Sequence, residues 1–229
     1  MAVRAATVRP SPFAHAMHQL ASLREPACLL DADGVVLFVN EAWDRFASVN
    51  GGGTHAGSAG LVGTRWLDGI QGEDPRRVHA VLLHRAMRRE GNGPGGAVIH
   101  TSEANDGVTA RLVATRLEAI LSPAGALVAV AVVHRTVREL PLAEVYPPLD
   151  ADGDAYRCPG GGIEQCTCCR RTVRPDGSGE WDYVLSLAAV PPRSTRFVYC
   201  PLCLELHCPT GPGIDGPDGI RGRGGLHDA

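Results

Sequence analysis

Apolar positions along the chain change period several times, and each change marks an element. Over residues 12–24, Phe13, Met17, Leu20 and Leu23 fall on one face at helical spacing, which predicts a short amphipathic helix. Ala27 to Leu30 and Val35 to Val39 are short apolar runs around the turn sequence Asp31-Ala-Asp-Gly34, and together they predict a hairpin. Asn40 stands where it can cap a helix over Glu41 to Ser48. Residues 50–60 are rich in Gly and Ser and predict a mobile loop, and Leu61 to Ile70 reads as short and partly helical. From Asp74 to Glu90, Val78, Val81, Leu82 and Ala86 recur as one stripe, with Asp74 as cap and Pro75 at the first helical position. Gly91 to Gly96 ends this helix. Three strand-like runs follow, Ala97 to Ser102, Thr109 to Leu121 and Ala126 to Val137, the last two joined by a Ser122-Pro-Ala-Gly125 turn.

Two strands, then helices, then three strands predict an α+β domain: a five-stranded antiparallel sheet with helices packed on one face. The apolar pattern fades after it. Residues 138–157 hold Pro141, Pro147 and Pro148 among acidic residues, the composition of a linker. A cysteine-rich module spans 158–209, and the Gly-rich tail 210–229 carries too little apolar surface to predict a fold. The organisation expected is an N-terminal helix over 1–24, a sheet domain over 25–137, the linker, the cysteine module and the tail.

The module holds the most specific chemistry. Cys166-x-x-Cys169 and Cys200-Pro-Leu-Cys203 are separated by residues 170–199, a 30-residue loop. Each CxxC turn bends the backbone so that both sulfurs face one point, and two such turns supply the four soft donors of a tetrahedral zinc site. Closing a longer loop adds only a slowly growing entropic cost. Zinc binding to thiolates contributes on the order of 10 kcal/mol, enough to fold a segment with little core of its own. Four thiolates around Zn²⁺ leave a net charge of −2, which Arg170 and Arg171 stand next to. A closed four-sulfur site has no open coordination position, so the expected role is structural. Cys158, Cys168, His207 and Cys208 flank the site and are alternate ligands by type. A free thiol among them also offers an oxidative route to metal release, although an unreactive thiol beside a structural zinc is the plainer reading. Trp181 is expected to pack over the site as the module's small core.

Composition narrows the context. The chain has 229 residues, a net charge of −3 and 22 basic residues, every one of them Arg. The charge gives no general attraction to nucleic acid or anionic membranes. Met1 to Leu23 lacks the apolar core of a secretory signal, and the longest apolar run, Ala126 to Val133, is far short of the ~20 residues of a membrane span. A cytoplasmic location follows as the expectation, and eight cysteines in a reducing compartment favour metal over disulfides.

The ordered motifs resemble a known family. ACLLDADGVVLFVNEAWDRFA looks like the opening of a PAS domain, with two strands around a D-x-x-G turn and Asn40 leading a helix that carries Trp43. GEDPRRVHAVLLHRAMRREG resembles that family's long connecting helix, and the last three strands match it in order and length; the resemblance covers about residues 25–137. CTCCRRTVRPDGSGEWDYV and FVYCPLCLE are similar to a short cysteine-rich, zinc-ribbon-like segment that follows PAS domains in some bacterial signalling proteins. The family often has Ser-His shortly before the second pair, where this chain has Arg196-Phe197.

The resemblance implies a non-catalytic sensory or regulatory protein: a PAS domain for ligand sensing or dimerisation, a structural Cys₄ zinc module for partner contact, and output through a signalling partner such as a kinase or regulator. A homodimer would bury Phe13, Met17 and Leu20 of the first helix. Some PAS domains hold haem through a His on the long helix. His79 and His84 are the candidates here, yet they differ by five residues and do not share a face, and Val78 takes the family's position when Asp74 is aligned with its acidic helix start. A flavin photosensor is disfavoured because Cys28 lies in the first strand without an Asn-Cys-Arg motif. A nucleic-acid-binding zinc protein using Arg170, Arg171, Arg174, Arg193 and Arg196 is the remaining alternative, and the acidic balance of the chain opposes it. No protease, kinase or nucleotide-loop signature stands in the sequence. Gly91-x-Gly-x-x-Gly96 follows a helix and precedes a strand, the reverse of a dinucleotide site. The Asp150 to Asp154 stretch lacks the twelfth-position Glu of an EF-hand, where Gly161 stands.

Overall fold

The computed structural model describes residues 11–49, 57–147 and 149–207. Most of the loop read over 50–60, and the tail from 210, lie outside the described residues.

The first helix, α1 (Pro12–Ala21), is capped by Ser11, whose hydroxyl accepts from the Ala14 amide at 3.2 Å. The expected hairpin is β1 (Ala27–Leu30) against β2 (Val36–Val39). Asp31 turns it, its carboxylate accepting from the amides of Asp33 and Val35 at 2.8 Å. Helix α2 (Glu41–Val49) follows, then a short α3 (Ser58–Leu61) and a 3₁₀ turn at Trp66–Gly69. The long helix α4 (Glu73–Met87) buries Val78, Leu82, Leu83 and Ala86. It begins one residue before the expected cap: Gly72 is the N-cap, at φ 90°, and no side chain caps it. A Cβ there would sit 2.3 Å from the carbonyl oxygen of Phe197, so glycine permits both the backbone conformation and the close approach.

Strands β3 (Val98–Glu103), β4 (Thr109–Leu121) and β5 (Leu127–Pro141) complete an antiparallel sheet of order β2-β1-β5-β4-β3. Register explains the core. Val98, Leu117, Val132, Cys28 and Val39 stand opposite one another in a single row across all five strands. This row and Leu30, Val36 and Val130 face α2 and α4. On the other side, Ala27, Leu29, Ala129 and Ala131 pack against Ala16 and Leu20 of α1. The sheet therefore carries helices on both faces: the pattern predicted the inner layer, and α1 covers part of the outer one. Leu20, expected at a dimer surface, is instead buried in the chain's own fold, whereas Met17 is exposed.

Residues 138–157 do not behave as a linker. Strand β5 continues to Pro141, and α5 (Leu142–Val145) begins at the next residue, with Leu142 buried. Asp152 caps a 3₁₀ turn at Gly153–Tyr156, and Tyr156 donates to Asp182 at 2.6 Å. Of the prolines that suggested a linker, Pro141 ends β5 and precedes the first residue of α5, a position that needs no backbone donor.

The remaining strands are β6 (Ile163–Cys166), β7 (Thr172–Val173), β8 (Trp181–Asp182) and β9 (Thr195–Val198), in sheet order β8-β7-β6-β9. Helix α6 (Leu185–Ala189) lies between β8 and β9, and α7 (Pro201–His207) follows β9.

Candidate metal centre

Strands β6 and β9 run parallel, with Cys166 beside Val198. Their C-terminal ends therefore lie together, and each leads into one Cys-x-x-Cys. After β6 the chain turns back: the Arg170 amide donates to the Cys166 carbonyl at 3.1 Å, and the Cys166 amide to the Arg171 carbonyl at 2.8 Å. Arg170 pays for this tight turn with a left-handed backbone at φ 64°. The second pair lies at the start of α7, where Cys200 precedes Pro201 and accepts from the Cys203 amide on its sulfur at 3.4 Å.

The sulfurs of Cys166, Cys169, Cys200 and Cys203 all lie within 4.8 Å of one another, and all four residues are buried. In a tetrahedral site with Zn–S near 2.3 Å the sulfurs stand about 3.8 Å apart. The Cys169–Cys200 separation of 3.6 Å is close to that value and far from a disulfide's ~2.05 Å. Donor type, number and spacing thus fit a thiophilic divalent cation.

The electrostatics agree. The Cys166 thiol is pulled far below its ordinary range by S–H donors from Cys168, Cys169, Cys200 and Cys203, while the thiols of Cys169 and Cys203 are pushed up, in each case first by Cys166. Cys166 raises the Cys200 thiol, but Cys169 and Cys203 lower it further, so two thiols are pulled down and two pushed up; four thiolates this close in a buried site repel one another. Only a cation at their centre allows all four to ionise. Arg170 lies within electrostatic reach of Cys166 and Cys168, and burial lowers its own pKa. Arg171 turns away, its guanidinium 4.6 Å over the Tyr146 ring. Of the two adjacent arginines, one stays as counter-charge and the other serves as a packing contact.

The flanking residues separate. Cys168 is buried beside the group, and Cys166, together with burial, holds its thiol well above the ordinary value. Cys158 is half-buried, outside the four-sulfur group, in a turn where its amide donates to the Gly162 carbonyl. His207 ends α7, its side chain outside the described residues, as is Cys208. Trp181 is half-buried and packs on the cysteine-containing core.

That core extends well beyond the module. The four cysteines, Tyr199 and Leu204 form one continuous apolar cluster with Leu82 of α4, Val98 of β3 and Leu117 of β4. Around it the polar contacts are specific. The Asn105 amide donates to the Cys168 carbonyl at 3.1 Å, and the Arg170 Nε donates to the Asn105 carbonyl at 2.9 Å. Tyr146 donates to the Glu103 carboxylate at 2.7 Å. At Gly107, a Cβ would come within 2.3 Å of the Ala189 Cα.

The histidines of the long helix do not form one site. His84 is exposed. His79 points inward: its Nδ1 lies 2.8 Å from the Pro75 carbonyl, and its ring packs edge-on against Trp66 and, at 6.4 Å between centroids, His100. Sequence reasoning missed the rest of this cluster. His100, Thr115 and His134 stand opposite one another on β3, β4 and β5, and the Thr115 hydroxyl bonds His134 Nδ1 at 3.0 Å. Period-two alternation in these strands placed them on the inner face, but all three residues break an otherwise apolar pattern.

Most arginines considered for phosphate contact are engaged within the protein. Arg174 binds Asp182 and Glu180, Arg196 binds Glu164, and Arg170 and Arg171 are held as described.

No protein-family model matches the chain, and no curated protein matches it significantly. Among solved structures, the PAS domain of BvgS from Bordetella pertussis aligns at 16% identity over 55% of this chain and 86% of its own, with a TM-score of 0.41. A sensory box sensor histidine kinase from Vibrio cholerae aligns at 14% identity over 55% of this chain and 90% of its own, TM-score 0.36. The PAS domain of an HTR-like protein from Haloarcula marismortui aligns at 12% identity over 55% and 91%, TM-score 0.33. The chain itself is an α+β fold, a five-stranded antiparallel sheet with α2 and α4 on its inner face, to which the cysteine cluster adds a small C-terminal module.

Proposed function

We propose that the chain is a non-catalytic sensory or regulatory protein, in which a PAS-like domain is joined to a Cys₄ metal module whose resident ion is zinc. The convergence of four buried cysteine sulfurs at the end of a parallel strand pair is the observation that carries this reading. Cys166, Cys169, Cys200 and Cys203 would hold the ion. When bound it would offset part of the charge of four thiolates and cross-link two chain segments. With four protein ligands no position is left for a substrate, so the metal's role is structural and output passes through a partner, a kinase or another regulator.

Elemental analysis of freshly purified, reduced protein tests this, together with its absorption spectrum. One zinc per chain is expected, falling to none when Cys166 and Cys200 are both replaced by Ser. Wild-type protein without stoichiometric metal would end the reading.

Haem is the weaker alternative, since His79 is packed between Trp66 and His100 and His84 faces solvent. A colourless protein that takes up no hemin is expected. Self-association is proposed through α1. Met17 of α1 is exposed, and a groove of about 760 Å³ on the outer sheet face is lined by Ala16 and Leu20 of the same helix together with Ile99, Ile120 and Val133. Among the described residues no helix is long and apolar enough to cross a membrane.

A further inference from the structure

The residues that build the first Cys-x-x-Cys turn also grip the PAS-like sheet. Cys168 lies inside the turn, and its carbonyl accepts from the Asn105 amide; Arg170 directly follows the turn and donates back to the Asn105 carbonyl. Asn105 is buried, and its side chain accepts from the Arg111 amide of β4 at 2.9 Å and donates to Glu103 of β3 at 3.1 Å. One residue thus receives the metal turn on one side and ties the ends of β3 and β4 on the other. Strand β3 is the edge of its sheet. An edge strand has half its backbone unpaired by the sheet and depends on whatever covers it. Here α7, the helix that begins at the second cysteine pair, packs against β3.

We infer that occupancy of the four-sulfur site by a thiophilic divalent cation sets the order of β3 and the β3–β4 connection, so that the PAS-like domain reports whether the ion is held. This rests on the metal reading above and adds a direction of information flow to it. Both supports of β3 are anchored by cysteines. The Asn105 clamp requires Cys166 and Cys169 to converge, and the cover by α7 requires Cys200 and Cys203 to converge with them. Release of the ion removes the cause of both convergences. The left-handed backbone of Arg170 then loses what holds it, and relaxation of that residue withdraws its guanidinium from Asn105. Loosening is communicated inward because β3 carries Val98 and His100 into the inner layer, opposite Leu117 and Thr115. A loss of zinc, or an electrophile that captures the thiolates, would therefore reach the sensory core as disorder in one edge strand.

Hydrogen–deuterium exchange on the full chain tests this, comparing zinc-loaded protein with the same protein after treatment with a high-affinity chelator under reducing conditions. Amides of Val98 to Glu103 and of Asn105 are expected to exchange at least about 10-fold faster after chelation, with β1 changing much less. Zinc bound at one per chain with unchanged exchange over 98–111 would overturn the coupling and leave the metal site standing. Equal acceleration in β1 would also overturn it, in favour of global unfolding. A loaded sample that retains no zinc would instead remove the metal reading on which the coupling depends. Arg170→Ala provides a variant without altered ligands: full zinc content with faster exchange over 98–105 is expected, and wild-type protection there would exclude the clamp as the route.

Discussion

Asn40 joins three elements through one side chain. Its Oδ1 accepts from the Trp43 amide at 3.0 Å as the cap of α2, and from the Ala27 amide of β1 at 3.0 Å. Its Nδ2 donates to the carbonyls of Glu25 at 2.8 Å and Leu20 at 3.1 Å, closing the end of α1. The residue is buried, so each lost bond leaves a backbone group with no water to replace it. Asn40→Ala should destabilise the protein by about 2–4 kcal/mol, read as a lower urea midpoint at unchanged slope. A change below about 0.5 kcal/mol would refute this account. The cap was legible in the sequence because it acts within three residues. The other bonds were not, because they join positions 13 to 20 apart that only the folded chain brings together. Asp74 shows the reverse case: it has the right residue type for a cap, yet the approach of Phe197 to Gly72 starts the helix earlier.

At the scale of elements, the inner sheet layer carries a polar row of His100, Thr115 and His134, with His79 of α4 above it. Burial, and to a lesser degree His79, holds His134 down at about 4; burial also lowers His79. A histidine whose folded pKa is depressed contributes stability above its unfolded value near 6.5, and that contribution is lost as pH falls through the interval down to about 4. For His134 the loss approaches about 3 kcal/mol at the acid end. Urea midpoints from pH 7.5 to 4.5 should fall more steeply in the wild type than in His134→Gln; parallel curves would count against the claim. Thiolate ligands also take up protons in acid, and the comparison between the two proteins cancels their effect. The strands themselves were readable, β4 with both bounds as expected from its alternation. The four cysteines were readable from spacing alone. Their setting was not, since a parallel pairing of residues 32 apart in the chain leaves no local mark, and neither does a helix that starts at the second pair.

At the scale of the whole molecule, composition suggested separable units, whereas one apolar cluster runs from the long helix to the cysteines. The protein should unfold in a single transition, with tryptophan fluorescence and far-ultraviolet dichroism coincident. A resolved first step confined to the C-terminal third would contradict that. Association is a separate matter. Met17→Glu should convert a dimer to a monomer in light scattering with little effect on stability, since Met17 is exposed in the single chain. A monomeric wild type at all concentrations would remove α1 as an interface. Prolines and acidic residues over 138–157 look the same in a linker as in a compact connection, and only tertiary contacts such as Tyr146 with Glu103 and Arg171 tell them apart.

The order of the two cysteine pairs has a consequence during synthesis. The five strands of the larger sheet leave the ribosome before either pair, and Cys203 emerges last of the four cysteines. The nascent protein must therefore carry an uncovered edge strand for the time needed to translate some sixty further residues at roughly 5–20 per second. If the site takes up the ion proposed above, its capture follows formation of the larger sheet, and cells starved of the metal should accumulate chains open along that edge.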